Sequence, residues 1–557
     1  MFRGESGYRV PPGLFLEEGL FLVITAGVVV FILWPVLAVL RESLRCEGAF
    51  SLANYSALVS ADSGLLWNSL TVGVLTVIFS LLIGTAIALY ISYTSFPAKK
   101  TVLTVLLMSL ISPPFVTSLA YIMLFGHRGL ITWKLLGISW NPYGMHGVVL
   151  MESLGLSTIA ALLILAVLKG LDGSLEQASL DLGASRGATL LHITLPLAMP
   201  GIVTAGLIVF IRSLSDFGTP IVVGGNFNVL ATQAYITVIG SYDMPRAAAI
   251  CTVLLIPALC VFLVYRRAMG ETRFFSRSAV QSSWEHLSLP RYVSLAVFFL
   301  TWGFVIIELL KYGTIFWGAF AKTWGVNFTL TLDHIRALRF SKMGSFARSI
   351  RYSLSAAVIT SVMGIILAYF LSRRKGKIMR IIDFVVDLPF ILPGPFFGIG
   401  YLLAFNRLPS AIFGSCLLIV ANCTYRQLTI GTKSGVSVLG QVNPELEDAV
   451  RDQGGSQFNV LKDVIFPLLK PAFLVSFINA FTASMTTIGA IIFLVTPYTK
   501  VATVDMFEAI QNGEIGQGAA LASLIIVTVM FVNVGFSWLL TKKGKGDRHI
   551  SRVAGFE

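Results

Sequence analysis

Long apolar stretches alternate with short polar ones along the whole 557-residue chain. Many apolar stretches run about 20 residues with few charged positions, the length that crosses a hydrocarbon core. Residues 20–40, 247–265 and 519–541 hold no charged residue at all. Membrane barrels read instead as alternating segments of roughly ten residues, a pattern this sequence does not show. The chain therefore reads as an all-α polytopic membrane protein, each span satisfying its own backbone polar groups within a helix. About 12 spans are expected. Six lie near 19–40, 68–92, 102–125, 146–168, 198–223 and 246–265. Six more lie near 292–311, 349–372, 381–405, 410–432, 471–495 and 518–540.

Six spans return the chain to its starting side, so two such halves enter the membrane in the same direction. The expected organisation is two parallel six-helix repeats: a first repeat at 1–270, a cytoplasmic linker at 271–291 and a second repeat at 292–557. Ser69-Leu70 and Ser353-Leu354 open the second span of each half. Both third spans have prolines in the middle, Pro113 and Pro114 in one and Pro389, Pro393 and Pro395 in the other. Proline breaks a helix ladder and most often serves as a packing kink.

The polar islands hold the clearest signal of duplication. LEQASLDLGASRGATLLHITLPLAMPGI (Leu175 to Ile202) and LEDAVRDQGGSQFNVLKDVIFPLLKPAF (Leu446 to Phe473) stand 271 residues apart in register. Glu176, Ala178, Gly183 and Pro196 match Glu447, Ala449, Gly454 and Pro467. Ser174 with Gln177 suits a capping box that opens a helix at Leu175. Asn443 suits a cap and Pro444 a first helical position in the second copy. Each glycine permits a left-handed exit or a close backbone approach, and a second helical run then leads through Pro196 or Pro467 into a span. The expected object is a helix–turn–helix elbow joined rigidly to a membrane helix. The second copy departs from the first with Asp448 opposite Gln177 and Val450 opposite Ser179, and His192 reads as a surface histidine rather than a proton switch. The repeated island resembles the EAA loop of binding-protein-dependent ABC transporter permeases, and the resemblance covers nearly the whole chain. It implies the type I ABC importer permease fold and assigns ATPase coupling to the eight matched residues.

Composition agrees with a membrane protein: 55% hydrophobic, 12% charged, mean hydropathy +0.81. The net charge of +13 reads as a basic excess on cytoplasmic loops rather than a nucleic-acid footprint. With the N-terminus inside, the inner segments hold 25 Lys/Arg and the outer segments 12, the other four of the 41 lying in or beside spans. This bias puts both termini and both elbows in the cytoplasm, and the resemblance implies a bacterial inner membrane. Arg3 and Arg9 before a long first span read as a signal anchor. Five cysteines form no disulfide or metal-ligand spacing, and no Walker A pattern occurs, since Thr432-Lys433-Ser434 lacks the upstream glycines. The resemblance thus implies no cofactor in this chain, with ATP and Mg held by two copies of a separate cytoplasmic ABC ATPase. It also implies a periplasmic or lipid-anchored substrate-binding protein, with membrane lipid as surroundings and no nucleic acid.

Charges inside a span are costly and mark candidate function. Arg212 and Asp216 stand four apart, suited to pairing on one helix face. They open the polar string DFGTPIVVGG, with Gly218 and Thr219, and TTIGAIIFLVTP with Thr486 and Thr487 holds the same place in the second half. These six residues are candidates for the translocation path. Asp383 and Asp387, near Arg380, read as a structural pair. Fused halves and the strings continuing into VLATQAY and VATVDMFEAIQNG resemble ferric-iron permeases, and that resemblance implies ferric iron as substrate. Phosphonate, thiamine, polyamine, sulfate or molybdate import is the alternative. A secondary transporter is the rival of another class, although it more often shows inverted repeats and midplane ion sites.

Overall fold

The computed structural model describes residues 12–272 and 288–543, apart from positions 47, 62, 112–113, 139–140, 408, 410–413, 444 and 457–458. Among these residues, nine helices are long and apolar enough to cross a membrane, and two bent pairs raise the number to eleven. The twelfth segment, Cys416–Leu439, is 24 residues long. Asn422, Arg426, Gln427 and Lys433 make it more polar than the others. Strand among the described residues is confined to two short hairpins, Arg45–Cys46 with Ala49–Phe50 and Ala321–Thr323 with Asn327–Leu330.

The spans of the first half are α1 (Glu18–Ser43), α2 (Ser63–Tyr93), α3 with α4 (Lys99–Ile111 and Pro114–Phe125), α5 (Met145–Leu168), α6 (Leu195–Leu214) and α7 (Met244–Thr272). Those of the second half are α8 (Arg291–Phe320), α9 (Met343–Arg373), α10 with α11 (Lys377–Ile391 and Gly394–Phe405), α12 (Cys416–Leu439), α13 (Lys470–Thr486) and α14 (Ile515–Lys543). The linker expected at 271–291 falls mostly on 273–287, outside the described residues.

The two halves repeat in detail. α2 and α9 each have 31 residues, and α5 and α12 each have 24. A Cβ on Gly84 of α2 would stand 2.7 Å from Ala160 Cβ of α5. A Cβ on Gly364, at the same place in α9, would stand 2.9 Å from the Gly431 carbonyl carbon of α12. Small residues let backbones approach where lipid gives helices no hydrophobic reason to associate. Ser80 Oγ donates to Ser153 O and Thr360 Oγ1 donates to Thr424 O, each over 3.1 Å. The Ser-Leu correspondence is corrected: Ser69 matches Ser349, not Ser353. Ser69 Oγ accepts from Leu230 N–H (2.9 Å) and Ser349 Oγ accepts from Ala502 N–H (2.8 Å). Each thereby holds the start of a short helix, Leu230–Ser241 or Ala502–Gln511. Ser353 faces the Met485 sulfur instead.

The halves also exchange their first helices. α1 packs on α11, with Tyr401 Oη donating to Phe31 O over 2.9 Å. α8 packs on α2, α3 and α4, with Tyr312 Oη donating to Met108 O of α3 over 2.7 Å. Each repeat therefore completes the core of the other.

Several expected spans differ in length. α6 and α13 stop at Leu214 and Thr486 rather than continuing to 223 and 495, with Ser215 and Thr487 as the residues that follow the last helical turn. α10 and α11 meet at 115°, a break far beyond a packing kink, because Pro393 cannot continue the ladder of α10. α8 runs on to Phe320 and buries Lys311 against Glu308 at 2.6 Å, so Lys311 leaves the outer-loop charge count. Three of the four π-turns among the described residues, Val29–Leu33, Leu190–Thr194 and Val460–Ile465 but not Leu130–Leu135, come just before a proline (Pro35, Pro196, Pro467). A wider turn relieves the clash of a proline ring with the preceding turn's carbonyl.

Candidate functional site

The two elbows form as their residues dictate, with one change of cap. Helix Gly173–Asp181 opens at Asp172, whose carboxylate accepts from Ser174 N–H at 2.9 Å. Asp172 thus takes the capping role expected of Ser174. In the second elbow Asn443 Oδ1 accepts from Glu445 N–H at 3.1 Å and caps Glu445–Asp452 as expected; Pro444 lies outside the described residues. Both helices end on a left-handed glycine, Gly183 at φ +86° and Gly454 at φ +79°. The closing bonds repeat in register: Gly183 N–H to Leu180 O and Ala184 N–H to Ser179 O, then Gly454 N–H to Arg451 O and Gly455 N–H to Val450 O. A Cβ at either glycine would meet nothing within 4 Å. The left-handed exit, and not close approach, explains them.

Each elbow turns its glutamate inward and its apolar residues outward. Glu176 is buried, and its Oε1 accepts from Tyr93 Oη (2.8 Å) and Thr194 Oγ1 (2.7 Å). Glu447 is buried too, and its Oε1 accepts from Arg373 Nε at 2.6 Å. Tyr93 and Arg373 are the last residues of α2 and α9. Leu175, Ala178 and Leu182 are exposed along one face, as are Leu446 and Ala449 in the second copy. Gly183, Gly454, Pro196, Pro467 and His192 are exposed as well. After the first elbow the helix runs unbroken from Arg186 to Leu214; after the second it bends by 64° near Leu469.

The path candidates converge on a cavity of about 220 Å³ between the halves. Ser215, Asp216, Phe217 and Gly218 line it from the first half, and Thr486, Thr487, Ile488 and Gly489 match them from the second. Thr219 is buried beside it. The expected Arg212–Asp216 ion pair is corrected: no such pair occurs among the described residues. Asp216 lies beyond the end of α6, and its Oδ1 accepts from Gly218 N–H (2.7 Å) and Thr219 N–H (3.2 Å). Arg212 lines the cavity and lies over the Phe390 ring at 4.8 Å. Arg426 of α12 lines it from the other half and donates to Thr487 Oγ1 over 2.7 Å. Phe115 and Phe217 continue the lining into an aromatic cluster with Tyr235 and Phe507.

Arg426 and Glu152 were not singled out from sequence. Arg426 was legible as a charge inside an apolar segment. Glu152 is buried in α5 and bonded by Thr76 and Ser213; nothing nearby in sequence signals those partners. Asp383 and Asp387 are structural as expected, but their partners are Lys433 (2.6 and 3.0 Å) and, for Asp383, Arg266 (2.8 Å), in place of Arg380. Among the described residues, no group of three His, Cys, Asp or Glu side chains could hold a metal ion.

A duplicated elbow on a paired six-helix bundle with a polar seam defines a membrane permease. The chain belongs to the family described as the binding-protein-dependent transport system inner membrane component, which matches residues 80–269 and 360–542. Among its relatives, the ferric transport system permease protein FbpB of Actinobacillus pleuropneumoniae is 31% identical, across 96% of this chain and 79% of that protein. The putative ferric transport system permease protein FbpB 1 of Haemophilus influenzae is 32% identical, across 85% of this chain and 77% of that protein. The molybdenum transport system permease protein ModB of Escherichia coli K12 is 31% identical across 35% of this chain and 88% of its own length.

Proposed function

We propose that this chain is the permease of an ATP-driven importer that carries ferric iron into the cell. Two repeats, 1–270 and 292–557, joined by a linker at 271–291, form one translocation path. The observation that carries the reading is the elbow built twice. In each copy a buried glutamate is bound to the last residue of a 31-residue span, while leucine and alanine face outward. Such a unit passes a push from a docked subunit directly into a membrane helix. Two elbows accept two copies of a cytoplasmic ABC ATPase, which bind ATP and Mg; the chain itself hydrolyses nothing. A periplasmic or lipid-anchored binding protein delivers the ligand. Both termini and both elbows face the cytoplasm, as the inner excess of Lys/Arg favours.

Iron as the substrate rests on the ferric relatives, which match most of the chain. Molybdate is the second reading, favoured by the ModB likeness over 35% of the chain. Deleting the gene should lower uptake of radiolabelled ferric iron under iron limitation. Unchanged iron uptake, with loss of molybdate, phosphonate, thiamine or polyamine uptake instead, overturns the iron assignment and leaves the permease.

A further inference from the structure

The cavity at the seam is built on two arginines from non-equivalent helices. Arg212 comes from α6, where the matching residue of the second half is Ala483. Arg426 comes from α12, where the first half has Gly155. Each half thus places one guanidinium against the same small space, and the duplication alone does not account for either. Among the described residues the carboxylate lining the cavity is Asp216, whose Oδ1 is engaged by the N–H groups of Gly218 and Thr219. Glu152 of α5 is not part of the lining and accepts from Thr76 and Ser213. Arg212 Nε has no acceptor among the described residues, and neither has the buried Asn479 Oδ1 a donor. Thr486, Thr487 and Gln427 complete a polar lining.

Two guanidiniums facing one cavity repel a bare trivalent cation, and they do so most strongly where water is scarce. The same planar forks match the paired oxygens of a phosphate or carboxylate. Ferric iron is a hard cation and travels with oxygen ligands, as such cations do. We propose that this cavity takes an oxyanion, so that iron crosses the permease as a ferric complex whose oxyanion ligand moves with it. The proposal rests on the ferric reading above and adds the chemical form of the cargo. The arginines hold the anion; the iron is carried by the anion and touches no protein cage.

The test uses the complete transporter, with its ATPase subunits and binding protein, in proteoliposomes. The binding protein is loaded with radiolabelled ferric iron and radiolabelled phosphate in one arm, and with radiolabelled ferric iron and radiolabelled citrate in the other. In at least one arm, both labels should enter the lumen together at a fixed ratio. Arg212→Gln and Arg426→Gln should each lower both fluxes at least about tenfold, the loss of one charge-assisted hydrogen bond. Arg212→Lys should recover part of the flux, since charge returns without the fork. Basal ATP hydrolysis by the assembled variants verifies that they fold; where one fails to assemble, the double-label experiment on the unaltered transporter decides alone. Iron entering without either anion overturns this inference and leaves ferric import standing. Glutamine variants that assemble and carry iron at the unaltered rate overturn it as well. Failure of the unaltered transporter to take up iron at all strikes the ferric reading itself.

Discussion

Arg373, the last residue of α9, donates through Nε to Glu447 Oε1 over 2.6 Å. The corresponding bond in the first half runs from Tyr93, the last residue of α2, to Glu176 Oε1 over 2.8 Å. One elbow is thus tied to its span by an ion pair and the other by a neutral phenol. Glu447 is further paired with Arg451 at 3.7 Å, whereas Glu176 has the Thr194 hydroxyl at 2.7 Å. The same mechanical link is made with different chemistry in each repeat.

Glutamine substitution should separate the two elbows. Glu447→Gln removes the charge that Arg373 requires, at a local cost of roughly 1–3 kcal/mol. Glu176→Gln keeps an amide oxygen for both hydroxyls and should cost less than about 1 kcal/mol. Binding-protein-stimulated ATP hydrolysis should therefore fall markedly in Glu447→Gln and little in Glu176→Gln. Equal losses in reconstituted transporters would contradict the assigned bonds.

The elbow glycines should be sensitive for a conformational reason. A side chain at φ +86° or +79° costs about 1–2 kcal/mol in the left-handed region, yet a Cβ there meets no neighbour. Gly183→Leu and Gly454→Leu should insert into the membrane at normal levels but lose ATPase binding or coupling. Co-purification with the ATPase and transport rate are the measurements. Normal values for both variants would remove the elbows from the docking role.

The close helix pairs give a stability test. Gly84→Val and Gly364→Val would each drive a Cβ within 3 Å of a facing helix, and overpacking of this kind costs typically about 1–3 kcal/mol. Thermal unfolding in detergent should drop for both variants by similar amounts, because the contacts are equivalent. A loss confined to one would mean that α2 on α5 and α9 on α12 are not matched interfaces.

Sidedness follows from the parallel repeat. Single cysteines near Gly183 and Gly454 should react with an impermeant thiol reagent only from the cytoplasmic side, and cysteines near Asn226 and Asn512 only from outside. Opposite sidedness of the two elbows is the result that would break the proposed topology.

The linear order of residues determined the all-α character, because uninterrupted apolar runs of bilayer length have few other solutions. It also determined the duplication, since Glu176, Gly183 and Pro196 recur in register as Glu447, Gly454 and Pro467. The left-handed glycine exits and the Asn443 cap were legible because they depend on residues within one turn of chain. Side-chain partners across distance were not legible. Arg212 and Asp216 have the spacing of a pair, but the helix ends between them, and the N–H groups that follow engage the carboxylate. Arg426 reaches Thr487 from a helix 61 residues away, and only packing puts it opposite Arg212. The exchange of α1 and α8 between the halves leaves no periodic trace, since a lipid-facing and a partner-facing apolar residue look alike in sequence. The tertiary structure alone decided those contacts, and with them the cavity, because both depend on which surfaces meet rather than on how apolar each surface is.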